Sequence, residues 1–157
     1  MYLSKVLTIL MTVISVSAFA QNSKMKTSDI NKAIATYQIG ENYFYGKTVK
    51  KDLKKGIIFM EEAANNGYSK AQLNLSRMYL RGYKVRKNYR KAFHWAKESA
   101  KQNNAEAQYY LALMYIEGKG VSRNIKKGIH WMLKSKSQGY AKAEQQWNKL
   151  EKHDYNS

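Results

Sequence analysis

The chain has 157 residues with no Cys and no Pro, and its 28 Lys and Arg against 11 Asp and Glu give a formal net charge of +17. That length suits a single domain. Without cysteine there is no disulfide framework and no lipid-modified N-terminal Cys, so an exported fold would have to stand on side-chain packing alone.

The first twenty residues differ from the rest. Met1 to Lys5 form a short basic n-region, and Val6 to Val16 form an apolar h-region broken by Thr8, Thr12 and Ser15. Ser17-Ala18-Phe19-Ala20 then has the small-x-small pattern that a signal peptidase reads. This predicts a secretory signal peptide over residues 1–20, cut between Ala20 and Gln21. The alternative, an uncleaved anchor, is disfavoured because the apolar run falls well short of the roughly 20 residues a spanning helix needs. No later segment is apolar enough to cross a membrane, so the mature chain is expected in the periplasm or outside the cell. An exported chain is not expected to meet nucleic acid despite its basic character.

Residues 21–27 read as a flexible lead-in. Ser28 is predicted to cap a helix from Asp29 to about Tyr45, ended by Gly46 in a left-handed conformation. Val49 would fold inward from the turn, and Asp52 would cap a second helix running to Gly67. The unit then recurs: a helix from Ala71 to Arg81, Gly82, Val85, Asn88 and a helix to about Gln102. It recurs again as Ala107 to Glu117, Gly118, Val121, Asn124 and a helix to Gln138. Ser69-Lys70-Ala71-Gln72 has the pattern of a capping box. Residues 143–153 start a fourth helix without the Tyr, Gly and Val of a full unit, and they read as a C-terminal cap with Trp147 and Leu150 on its apolar face.

Ala35, Ala71 and Ala107 thus open three copies of one 36-residue pattern, over 35–70, 71–106 and 107–142. After each Ala come an aliphatic side chain, Tyr, Gly, Val, Asp or Asn, Lys and Trp or Phe at fixed offsets. A period of this size predicts stacked helix-turn-helix units, an all-α fold in which each unit buries its apolar face against its neighbours. Phe59, Trp95 and Trp131 are the expected large core anchors.

The string Ala107-x-x-x-Leu111-Ala112-x-x-Tyr115-x-x-Gly118-Lys119-Gly120-Val121-x-x-Asn124-x-x-Lys127-Gly128-x-x-Trp131 resembles a Sel1-like repeat, a relative of the tetratricopeptide repeat. The resemblance implies a right-handed α-solenoid and an adaptor role: complex assembly, envelope signalling, host interaction, or neutralisation of a secreted toxin or effector as an immunity protein. Two departures stand out. Gly-x-Gly-Val is complete only in the third turn, and the paired alanines Ala63-Ala64 become Ser99-Ala100 and then Ser135-Lys136. The Lys at that position predicts looser packing of the third unit on its cap. A hydrolase activity, proposed for cysteine-rich relatives, is a remote alternative that no residue pattern here supports.

Two surfaces are candidates for contact with a partner. The first is a basic edge at the turns and the starts of the second helices: Lys50, Lys51 and Lys54, then Arg86, Lys87, Arg90 and Lys91, then Arg123 and Lys126. Cations at a helix N-terminus oppose the macrodipole, so their placement favours an anionic partner over fold stability. An acidic protein, an anionic lipid or wall polymer, and a merely solvated Lys-rich surface all remain open. The second is an apolar row on the first helices: Tyr37 and Phe44, Leu73 and Leu80, Tyr109 and Leu113. It reads either as inter-repeat packing or as a groove for a partner's helix or extended segment, with the tips of Tyr37 and Tyr109 exposed.

His94 and His130 fall at equivalent positions of adjacent units, about 10 Å apart and too far to share a metal. There is no nucleophile–base motif, phosphate-cradling loop or metal spacing. The sequence therefore predicts a monomeric, non-enzymatic binding protein with no cofactor.

Overall fold

The computed structural model describes residues 27–154; the predicted signal segment, with Ala20 and Gln21, and residues 21–26 of the lead-in lie outside them. Helix α1 occupies residues 27–45. It is followed by α2 (Leu53–Asn65), α3 (Ser69–Arg81), α4 (Tyr89–Lys101), α5 (Ala105–Glu117), α6 (Ile125–Ser137) and α7 (Ala141–Asp154). There is no strand among the described residues. Successive helices from α2 to α7 pack on one another in chain order, which makes the fold an all-α solenoid of hairpin units.

Local chemistry explains the turns. Asp52, Asn88 and Asn124 each sit in extended backbone just before a helix, and their side chains accept from the amides of Lys55, Lys91 and Lys127 at 3.0, 3.0 and 2.9 Å. Each satisfies one of the donors a helix start leaves open. The same three residues donate their own amides back to Tyr43, Tyr79 and Tyr115 at 2.8, 3.0 and 2.8 Å. This one bond, repeated with the sequence period, fixes how each hairpin closes. Tyr43, Tyr79 and Tyr115 therefore occupy matching sites.

Within each unit the two helices cross at small residues. A Cβ on Gly40 would meet the Gly56 carbonyl at 3.0 Å, and one on Gly128 would meet the Ala112 carbonyl at the same distance. In the middle unit the corresponding pair is Ser76 and Ala92, whose Ser76 hydroxyl donates to the Ala92 carbonyl at 2.9 Å. Between units, Ala71 and Ala107 are fully buried, as are Leu75 and Leu111. Ala35 and Ile39, their equivalents in the first unit, are exposed, Ile39 by 44%. Asn42 there replaces the buried Met78 and Met114. The outer face of α1 thus leaves Ala35 and Ile39 open, with the polar Asn42 in place of a core methionine.

Several expectations are corrected. Thr27 and Ser28 are already helical, so Ser28 does not cap a helix starting at Asp29. The capping box at Ser69 does not form: the N-cap is Tyr68, with no side-chain bond, and Ser69 instead contacts Ser99, whose hydroxyl donates to the Ser69 carbonyl at 2.9 Å. Trp95 and Trp131 are only partly buried at the margin of the core, and Phe59, also partly buried, stacks on Tyr43, while Tyr37, Leu75, Leu111, Met114 and Met132 fill the core.

Val49 points outward, whereas Val85 packs on the core. The third and second turns carry positive φ at Gly120 and Lys84, 76° and 60°, but β-branched Thr48 at the same place in the first turn does not adopt it. The chain path there differs accordingly.

Helix α7 starts at Ala141 and not at 143. Trp147 and Tyr140 cover Ala112 and Met132, and the Lys136 ammonium lies 5.7 Å from the Trp147 ring centre in place of a packed alanine.

Candidate functional site

The basic edge is assembled by the caps just described. Each cap holds a helix N-terminus at the same place in its unit, and the residues that follow project there in register. Lys51, Lys87 and Arg123 share one position, with their Cβ atoms against the turn glycines Gly46, Gly82 and Gly118. Lys54, Arg90 and Lys126 share another. All of these are exposed, as are Lys50 and Arg86. The first turns of α2, α4 and α6 contain no acidic residue, whereas those of α5 and α7 carry Glu106 and Glu144. Among the described residues the ion pairs are Arg77–Glu106, Lys101–Glu98 and Lys119–Glu117, so Lys119, a cation of the third turn, is paired while Lys54, Arg90 and Lys126 are not.

The predicted edge residues do not all have the same surroundings. Lys91 lies over the Tyr79 ring at 5.0 Å, and its equivalents Lys55 and Lys127 lie over Tyr43 and Tyr115 at 5.5 and 5.8 Å. This recurring cation–π contact makes Lys55, Lys91 and Lys127 part of the hairpins themselves. Arg123 donates through Nε to the Ile116 carbonyl at 3.0 Å, satisfying the open end of α5. Lys54, Arg90 and Lys126 have no such internal role in the described contacts and form the free column.

The apolar row is mostly interior, a correction to its reading as an open groove. Tyr37 is 1% exposed, and Phe44 and Leu73 are also buried. The Tyr37 hydroxyl donates to Glu41 at 3.1 Å and accepts from Asn74 of the next unit. Tyr109 is half-buried between Tyr110 and Tyr140, with ring centres 5.6 and 5.5 Å away. Burial raises the pKa of both phenols, helped at Tyr37 by the Glu41 carboxylate. Aromatic side chains at these positions bury more area by stacking the units than by facing water.

What remains open on the first-helix side is a pair of grooves that the sequence reading missed. One, of about 490 Å³, lies between α1 and α3, with Phe44 and Met78 in its wall and Arg77, Arg81 and Tyr83 around it. The other, of about 280 Å³, is bounded by Leu80, Tyr110, Leu113 and Met114, with Lys119 at its rim. Tyr45 and Tyr83 are 55% and 53% exposed at the larger groove. Exposed aromatics outside the repeat pattern, at positions adjoining the turn glycines, were the available signal.

A third cleft, of about 440 Å³, lies between α2 and α4 and is lined by Glu61, Arg90, Lys91, His94 and Trp95. Its Glu61 is engaged by the Tyr79 hydroxyl at 2.7 Å. His94 and His130 are exposed, each set edge-on against its neighbouring Trp at 4.7 and 5.7 Å. No group of His, Asp or Glu among the described residues is placed to hold a metal ion. No described helix is long and apolar enough to cross a membrane.

A sequence model of the Sel1 repeat matches residues 28–68, 69–104 and 105–140. Its unit boundaries fall at the starts of α3 and α5, two residues before Ala71 and Ala107. Among solved structures the chain is similar to a Sel1 repeat protein from Oxalobacter formigenes, with 25% identity, a TM-score of 0.72, and 82% of this chain and 98% of that one covered. It is similar to c5321, a protective antigen present in uropathogenic Escherichia coli strains and displaying an SLR fold, at 30% identity and a TM-score of 0.65. That match covers 71% of this chain but only 24% of the antigen. It shares the fold of cysteine rich protein B from Helicobacter pylori, at 21% identity and a TM-score of 0.57 over 73% of this chain and 92% of that one. Nothing among curated protein sequences matches.

Proposed function

Because the chain belongs to the Sel1 repeat family, a solenoid architecture built to present extended binding surfaces, we propose that it is an exported, non-enzymatic protein-interaction module that holds an acidic protein partner along its basic edge. The observation that carries this reading is the run of exposed cations on the first turns of α2, α4 and α6 with no acidic residue among them. Charge at that end of a helix works against folding, and it repeats unit after unit. A partner whose carboxylates approach the edge would gain from both the cations and the open helix ends.

The signal-like pattern of residues 1–20 supports the export part of this proposal, with cleavage before Gln21 giving the mature chain. An immunity or regulatory role, holding a toxin or effector or a component of an envelope assembly, fits a small exported module of this kind.

Immobilised chain and a Lys54→Glu/Arg90→Glu/Lys126→Glu variant, exposed to envelope and culture extracts, test the proposal. An acidic protein retained by the first and lost by the second supports it. Equal retention, or adhesion to anionic vesicles with no protein retained, contradicts it.

A further inference from the structure

The two grooves on the first-helix side are one feature repeated. Advancing Phe44, Asn74, Arg77 and Met78 of the larger groove by one period gives Leu80, Tyr110, Leu113 and Met114 of the smaller. Each has an apolar floor formed by a methionine and the edge of a row residue. Their rims differ, and the difference is electrostatic.

Arg81 stands where the grooves meet. It lines the larger one, and its Nη2 lies 3.5 Å from the hydroxyl of Tyr110, which lines the smaller. Among the described residues Arg81 belongs to no ion pair, while Arg77 and Lys119 are held by Glu106 and Glu117 at 3.3 and 2.5 Å. Lys87, on the wall of the smaller groove, is also outside any ion pair but lies over the Tyr89 ring at 5.8 Å, away from the junction of the two grooves that Arg81 bridges. An exposed guanidinium outside any ion pair, between two grooves that each have a methionine in their wall, is suited to a carboxylate.

We propose that the paired grooves bind an extended acidic segment of the partner, with one apolar side chain in each groove and a carboxylate between them on Arg81. The inference rests on the reading above that the partner is an acidic protein, and it specifies the segment recognised. Equivalent points on neighbouring units are separated by about 10 Å. A polyproline II segment rises about 3.1 Å per residue with three residues per turn, so residues i and i+3 lie on one side about 9 Å apart. A β-strand places same-side residues about 7 or about 13 Å apart, which misses the spacing. The preferred segment therefore carries apolar residues at i and i+3 and Asp or Glu between them.

The test measures fluorescence anisotropy of labelled synthetic octapeptides against the purified full chain. The set holds acidic peptides with Leu at i and i+3, i and i+2, or i and i+4, a version with both Leu replaced by Ser, and an i, i+3 version with its central Asp replaced by Lys. The i, i+3 acidic peptide is expected to bind at least about tenfold tighter than the others. Arg81→Glu should weaken it by a similar factor and improve binding of the Lys version, a charge exchange that mere misfolding would not produce. Tyr83→Ser, at an exposed rim position, should weaken the i, i+3 peptide while leaving the melting temperature unchanged. Binding of all acidic peptides regardless of spacing, removed only by Lys54→Glu/Arg90→Glu/Lys126→Glu, would overturn the groove proposal and leave the edge reading standing. Failure of every acidic octapeptide to bind would also overturn it, while the extract experiment independently decides the edge reading.

Discussion

Gln102 donates its side-chain amide to Gln72 across 30 residues at 2.8 Å, and Gln138 does the same to Gln108 at 2.7 Å. Gln72 in turn donates to the Ala64 carbonyl at 2.9 Å, and Gln108 to that of Ala100 at 3.3 Å. Each buried glutamine thus ties the end of the preceding second helix to the end of its own unit's second helix. Replacing Gln72 with Ala removes the side-chain donor to the Ala64 carbonyl, which keeps the Gly67 amide at 3.0 Å, so the lost bond should cost about 0.5–1.5 kcal/mol. Gln102→Ala, at an exposed end, should stay within about 0.5 kcal/mol of the parent. Urea melts of the two variants check the contrast.

Gly120 is constrained twice. Its φ is +76°, and a Cβ there would lie 2.0 Å from the Tyr89 carbonyl at the start of α4, so the third turn closes against the second unit. Gly67 has a similar φ of +87° with nothing within 4 Å of an added Cβ. Gly67→Ala should cost only the backbone penalty of about 1–2 kcal/mol. Gly120→Ala should cost roughly 1–3 kcal/mol more, because backbone must move to make room. Thermal melts of the pair separate conformational from steric strain.

Stability and binding should move in opposite directions at the edge. Lys54, Arg90 and Lys126 occupy the first turns of α2, α4 and α6, where a carboxylate is favoured and an ammonium is not. Their combined reversal to Glu should raise stability by about 0.3–1 kcal/mol per site at low salt. The gain should shrink in concentrated salt as the charges are screened. Scanning calorimetry of the variant that fails to retain the partner would show whether this holds.

Alkaline pH tests the buried phenols. Burial, and then the hydrogen bond to Glu61, push the Tyr79 pKa from 10.0 up to about 12. The folded chain therefore holds this proton more tightly than the unfolded one. The associated stability is complete below pH 10 and is lost as pH rises from about 10 to about 12. Lys deprotonation relieves the net positive charge over the same range and acts the other way. The informative quantity is thus the difference between the parent and Tyr79→Phe: the parent's advantage should shrink as pH rises from about 10 to about 12 in urea melts.

The parts of this fold legible in the sequence are those governed by local chemistry. Asp52, Asn88 and Asn124 cap, and Gly82 and Gly118 end helices, because a short acceptor and a left-handed glycine need only their own neighbours. The helix crossings were hidden. Gly56, Ala92 and Gly128 are ordinary small residues on a helix until Phe44, Ser76 and Ala112 are seen against them. The apolar row was legible as a row and packing was one of its two readings, but the sequence left the choice open, since the burial of Tyr37 shows only once Asn74 of the next unit reaches its hydroxyl. The edge cations could be counted in the sequence, but only ring geometry separates Lys91, seated on Tyr79, from the free Arg90. The grooves arise between units, so no single unit contains their signal.

The central claim is that a partner is held along several units at once, and its most direct test is a hydrogen-exchange footprint of the chain with its retained partner. The account predicts simultaneous added protection in the three turns at residues 46–51, 82–87 and 118–123 and at the following helix starts. Protection confined to the outer surface around His94 and His130, or to a single unit, would contradict it.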